Sequence, residues 1–261
     1  MSIPIASFES LLSNDLASYL WPFLRISGIL MVAPLFGARL VPVRVRVLLS
    51  AALAFLLAPL LPSPSLPELS LVNAALIVQE ILLGVAMGFT LQMIFDALVI
   101  AGQTVAMTMG LGFAMMVDPQ RGVSVPVLSQ FLVILGLLIF VSLDGHLAVL
   151  QLLVESFTIL PIGQVANGNA PWLLVSWASQ MFAGALQIAL PAVVALLVVN
   201  IAFGVMSRAA PTLNLFAIGF PAALMLGFVF MYFTISGIDG AFSQLLDSAY
   251  SNIVTMLNPN P

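Results

Sequence analysis

The sequence predicts an all-α integral membrane protein, and three observations carry that reading. Hydrophobic residues make up 62% of the chain and charged residues only 6%, where a soluble domain carries about 25% charged residues. The mean hydropathy is +1.21. The apolar residues fall into six blocks of helical length, at 17–38, 47–61, 71–101, 126–159, 172–205 and 213–236.

Each block has a stop signal. Block one ends before Pro42, and block two at Pro62-Ser-Pro-Ser-Leu-Pro67, because proline cannot continue a helix. Block three, with Gly84, Gly88 and Asp96 inside it, ends at a segment rich in glycine and methionine, Gly110 to Gly122. Block four is interrupted by Asp144-Gly-His146 and closes at Pro161-Ile-Gly163 through Pro171. Block five contains Pro191 and Asn200 and stops at Arg208-Ala-Ala-Pro211. The chain shows no short-period repeat, and residues 1–261 read as one domain.

All six cations are arginine, and the net charge is −4. Arg39, Arg44 and Arg46 follow block one, Arg121 follows block three and Arg208 follows block five. The intervening loops carry no cation, so the positive-inside rule predicts six crossings with both termini outside the cytoplasm. No arginine precedes Arg25, whereas Glu9 and Asp15 do, so the first block is expected to remain in the mature protein. Blocks three to five disturb this simple picture. Their 31 to 34 residues would make helices of roughly 45–50 Å against a hydrocarbon core of ~30 Å. Interrupted backbone at membrane depth needs cover from protein or a water-filled cavity. Kinked helices and helical hairpins packed within an assembly are therefore expected.

Several function classes drop out. The chain has no cysteine, which excludes disulfides, cysteine-ligated zinc and iron–sulfur clusters. No basic cluster suits nucleic acid. His146 is the only histidine, and Asp144-Gly-His146 lacks the i, i+4 spacing of a zinc helix. Its reading is a cap or turn. No Gly-x-Ser-x-Gly elbow or lysine-ended phosphate loop is present. The expected catalytic, metal and cofactor sets are each empty.

The central segment is the main functional candidate. Met107, Met109, Phe113, Met115 and Met116 lie within ten residues, with Gly110 and Gly112 between them and Asp118-Pro119 after them. Unbranched thioethers repack easily and glycine admits backbone shapes closed to other residues. The pattern suits a seal that can yield, and it also suits ordinary helix packing. Glu80, Asp96 and Arg25 lie inside apolar blocks. Intramembrane charges are functional candidates by default, with a buried partner on a neighbouring helix as the plainer reading. Gly84-x-x-x-Gly88 fits close helix approach, and Gly219-Phe-Pro221 marks a bend.

Read in order, these stretches resemble a known family. The matching segments are Ala33-Pro-Leu-Phe36, Val41-Pro-Val-Arg-Val-Arg46, Glu80 to Phe89, Gly110 to Pro119, Asp144-Gly-His146, Leu160-Pro-Ile-Gly163 and Arg208 to Pro221. They resemble the FliR/SctT family, the R subunits of the flagellar type III protein export gate and its virulence-secretion homologues, and the likeness covers essentially the whole chain. It implies a subunit with a P-like part joined to a Q-like part, assembled with FliP-like and FliQ-like subunits into a conical helical gate. That gate would sit in the basal body at the bacterial inner membrane, with an FlhB-like subunit around its entrance and unfolded export substrates passing through. It also implies that loop 110–122 is a plug below a methionine ring supplied by FliP.

The expected function is thus a multi-pass export-gate subunit with no catalysis. Met107, Met109, Gly110, Gly112, Phe113, Met115, Met116, Asp118 and Pro119 would form the plug, and Glu80, Arg208, Pro211, Gly219 and Pro221 would serve structure and assembly. The rival is a secondary transporter using Glu80 and Asp96, a class that also employs broken helices.

Overall fold

The computed structural model describes residues 5–34, 36–37, 41–61, 71–112, 127–166, 168–210 and 215–259, and their side chains except over 5–17, 71–73 and 215–218. Every extended element among them is a helix: α1 Ile5–Val32, α2 Val43–Leu57, a 3-10 turn Ala58–Leu60, α3 Leu71–Thr108, α4 Val127–Ser142, α5 Gly145–Ile159, α6 Ala170–Ala209 and α7 Leu215–Leu257. The all-α class read from the sequence is the class observed.

The breaks correspond unequally to those expected. Block four divides at Asp144, whose φ of 54° is left-handed. Asp144 shapes this turn through its backbone, and its side chain makes no capping hydrogen bond to α5. Blocks three and five instead run on as single helices of 38 and 40 residues, through Gly84, Gly88 and Asp96 and through Pro191 and Asn200. Glycine weakens a helix without ending it, and an internal proline removes one hydrogen bond from a ladder that otherwise continues. Helix α7 also outruns its block by 21 residues, reaching Leu257 rather than 236. Its second half mixes Ser, Asp and Gly with apolar residues, which lowers the hydropathy without breaking the helical period.

Among the described residues four helices are long and apolar enough to cross a membrane, and α4 with α5 makes a fifth span if the pair is counted as one. The Ser18–Val32 part of α1 is a shorter apolar stretch. Large apolar side chains such as Phe55, Leu82, Leu138, Ile201 and Tyr232 stand exposed, as expected where the surroundings are lipid or other subunits.

The chain divides into two compact units. The first holds Met1–Gln92, Asp144–Trp177 and Ser248–Pro261. Its core includes Trp21, Ile26, Ile29 and Leu30 of α1, Leu83, Met87 and Leu91 of α3, and Leu152, Leu153 and Phe157 of α5. Helices α1 and α3 meet backbone to backbone, and glycine permits it. A Cβ on Gly28 would lie 2.6 Å from the Ile81 carbonyl oxygen, and one on Gly88 would lie 2.8 Å from that of Ile29. A Cβ on Gly84 would overlap the Arg25 carbonyl oxygen. Gly84-x-x-x-Gly88 therefore does what its spacing predicted. Gly84→Val is expected to force the helices apart at a cost of about 1–3 kcal/mol or more, the range for overpacking. Thermal unfolding of the purified protein measures this, and an unchanged midpoint would refute the close-contact argument.

The second unit holds Met93–Leu143 and Ala178–Asp247. Phe95 of α3 stands edge-on to Phe140 of α4 and to Phe242 of α7, with ring centroids 5.8 and 5.6 Å away. The Ser129 hydroxyl donates to the Val99 carbonyl at 2.9 Å. Within this unit α6 and α7 run antiparallel: Gly184 packs on Leu245, Gln187 faces Gln244, and Phe203 reaches Gly219.

Candidate functional site

Two constellations collect the residues singled out above. The first is where α3 stops. Gly110 has φ +85°, its N–H donates to the Met107 carbonyl at 3.1 Å, and the Leu111 N–H donates to the Ala106 carbonyl at 3.0 Å. This paired bonding around a left-handed glycine is the Schellman way of satisfying the last carbonyls of a helix. The interruption visible in the sequence is thus a built helix end.

That end opens on a cleft of about 830 Å³ lined by Met107 and Thr108 at the end of α3, Met109 and Gly110 in the turn after it, Asn200, Phe203, Gly204 and Ser207 from α6, and Gly219, Phe220 and Ala223 from α7. Four of the predicted residues, Met107, Met109, Gly110 and Gly219, therefore share one apolar cleft. Their situations differ. Met107 is 57% exposed while Met109 is fully buried. The Met109 side chain fills the space in front of Gly227, where a Cβ would come within 2.5 Å of the methionine methyl. Gly110 lies against the Phe220 ring, and Gly112 lies against the Met107 sulfur. Arg208 occupies the last turn of α6, and Pro221 lies inside α7. Phe113, Met115, Met116, Asp118, Pro119 and Pro211 lie outside the described residues. Sequence reasoning missed Phe203 and Phe220 as cleft walls. The Gly219-Phe-Pro221 stretch, expected to bend, was the only signal pointing to the second, and α7 runs on through it.

The second constellation is buried in the first unit. Arg25 Nε donates to Glu80 Oε2 at 2.7 Å, with both side chains fully buried. One terminal nitrogen of the guanidinium donates to the Ser156 carbonyl at 2.8 Å and to its hydroxyl at 3.3 Å. The other donates to the Leu160 carbonyl at 3.0 Å. The Phe157 ring centroid lies 4.4 Å from the guanidinium carbon. Arg25 thus caps the carboxyl end of α5, where the helix dipole favours a cation, and adds a second donor to the Ser156 carbonyl, which already accepts the Leu160 N–H. Just beyond, Gly163 at φ +91° forms the turn closed by the Gln164 N–H on the Pro161 carbonyl. The Gln79 side-chain amide donates to the Gln164 carbonyl at 2.6 Å. The sequence marked Arg25 and Glu80 as separate candidates and did not join them. Asp96 is half-buried in the second unit and is not without a partner. Among the described residues no three potential metal ligands cluster.

Comparison with known proteins now gives this architecture a family. Residues 16–249 match the family described as "Bacterial export proteins, family 1". The flagellar biosynthetic protein FliR of Escherichia coli (strain K12) is 41% identical over 214 residues, 82% of each chain. FliR of Buchnera aphidicola subsp. Acyrthosiphon pisum is 31% identical over 256 residues, covering 97% of this chain and 98% of the relative. FliR of Bacillus subtilis (strain 168) is 29% identical over 218 residues, 82% of this chain and 84% of the relative. A chain with these apolar helices and this likeness along most of its length belongs to the FliR family of bacterial export proteins and is a membrane component of flagellar protein export.

Proposed function

We propose that this chain is a non-catalytic subunit of the flagellar export gate. Its 261 residues act as one gate subunit, with a P-like and a Q-like part. It joins FliP-like and FliQ-like subunits in the inner membrane, within the basal body, to form the pore through which unfolded flagellar subunits cross. An FlhB-like subunit borders the entrance. The segment 110–122 closes the pore at rest. The observation that supports this most directly is the helix end at Gly110, which opens on the Met107–Phe203–Phe220 cleft. The segment leaves a firmly capped helix beside a soft apolar cleft, as a movable seal requires. Many dispersion contacts of ~0.1–0.2 kcal/mol each hold such a seal without one strong bond to break.

The test is co-expression with the FliP-like and FliQ-like proteins of the same bacterium, pulling on a tag after Pro261. Recovery of all three in one complex of defined mass is expected. Recovery of this chain alone, as a stable monodisperse monomer beside well-expressed partners, would overturn the reading.

A further inference from the structure

Helix α7 changes character along its length. From Met225 to Phe233 its exposed residues are Met225, Phe228, Val229, Tyr232 and Phe233. From Ser236 to Asp247 they are polar or small: Ser236, Asp239, Gly240, Gln244 and Asp247 are exposed, and Ser243 is half-buried. Positions 236, 240, 243, 244 and 247 recur at helical spacing and so share one face. Both stretches belong to Gly219–Leu257, a helix long and apolar enough to cross a membrane.

The neighbouring helix shows that this polarity is one-sided. Gln187 of α6 donates to Gln244 at 3.4 Å, which fixes the level at which the two helices run past each other. At that level α6 exposes Phe182, Leu186, Leu190 and Val194. A hairpin that had simply left the membrane would have no reason to keep one side this apolar. The polar side carries a cleft of about 320 Å³ lined by residues that include Gln187, Pro191, Thr234, Gly237, Gly240 and Gln244. A Cβ on Gly237 or Gly240 would meet nothing within 4 Å. Pro191 has no N–H, so the Gln187 carbonyl in this cleft loses its i+4 donor. Against hydrocarbon, unsatisfied polar groups and an aspartate in mid-helix are strongly disfavoured.

We infer that the α7 face carrying Ser236, Gly240, Ser243, Gln244 and Asp247, with Gln187 beside it, is turned to water, so that the α6–α7 hairpin is a wall between an apolar surround and a hydrated passage. Naming the passage as the export route, and its occupant as an extended polypeptide hydrogen-bonding to these hydroxyls and amides, rests on the proposed function. The wet face itself does not.

The cysteine-free chain makes the test direct. Single cysteines are placed at Ser236, Ser243 and Asp247 on the polar face, and at Leu186, Leu190 and Phe233 on the apolar surface. Each variant is assembled with its FliP-like and FliQ-like partners in membranes and treated with a charged, membrane-impermeant methanethiosulfonate. The polar set is expected to react about tenfold faster or more, because the thiolate is the nucleophile and apolar surroundings suppress it. Equal rates in the two sets would overturn the inference. So would a polar set that reacts only in the isolated chain, which would mean that a polar helix of a partner covers it. A complex that forms with an unreactive polar face removes this inference and leaves the subunit reading standing. A reactive face on a chain that joins no complex does the reverse.

Discussion

Arg25→Ala is expected to remove most of the folded protein from the membrane. The loss is larger than that of one salt bridge, because the guanidinium is shared. Its Nε–H holds Glu80, and its terminal nitrogens hold the Ser156 and Leu160 carbonyls at the end of α5. Truncation leaves a fully buried carboxylate without its counterion, together with carbonyls that lose a donor. Breaking a buried pair from one side costs about 3–5 kcal/mol, against a total stability of about 5–15 kcal/mol for a typical domain. Arg25→Lys is expected to recover little, since an ammonium cannot reproduce a planar fork aimed at acceptors on three residues. Glu80→Gln keeps the shape and should reduce the yield of assembled complex more than it changes transport by complexes that do form. The double change Arg25→Met with Glu80→Met should do less harm than the two single losses added together, because residues in contact couple. Quantitative blotting of membrane fractions and thermal unfolding of purified protein measure all four. Wild-type accumulation of Arg25→Ala would contradict this account, and normal assembly of Glu80→Gln with lost export would give Glu80 a part in transport.

Deleting residues 110–122 is expected to leave assembly with FliP-like and FliQ-like subunits intact while making the membrane leaky to ions. None of the helices described above, α1 to α7, falls within this segment, so each of them is retained. The shorter deletion 113–122 retains the turn at Gly110 and Leu111 and guards against unravelling the end of α3. Both deletions should raise the conductance of membranes containing the complex above that of wild type, read by planar-bilayer recording or by ion flux from vesicles. Unchanged conductance in a verified complex would remove the plug from the proposal.

Much of this fold was legible because its signals are local. Hydropathy gave the membrane class, and Pro42, Gly110 and Asp144 each stand in a gap between helices. Gly84 and Gly88 declared a close approach through their spacing alone. Asp144 declared a turn, though the turn is made by its left-handed backbone rather than by a side-chain cap. What stayed hidden depends on contacts between distant residues. Arg25 and Glu80 are 55 residues apart, and Ser156 is 131 residues from Arg25. No spacing rule joins them. The cleft beside Gly110 likewise draws Phe203 and Phe220 from the far end of the chain. The second half of α7 was missed for a different reason. A hydropathy average falls where one face turns polar, although the helix continues.

The shared guanidinium also sets a timetable for biosynthesis. Arg25 emerges from the ribosome first, Glu80 follows 55 residues later, and the Leu160 carbonyl arrives 135 residues after Arg25. At ~5–20 residues per second, the 80 residues between Glu80 and Leu160 take about 4–16 s to translate. Throughout that interval the counterion of Arg25 has been synthesised while the acceptors on α5 and at Leu160 have not. The first third of the protein therefore cannot complete this hydrogen-bond set until the ribosome delivers the carbonyls that close it.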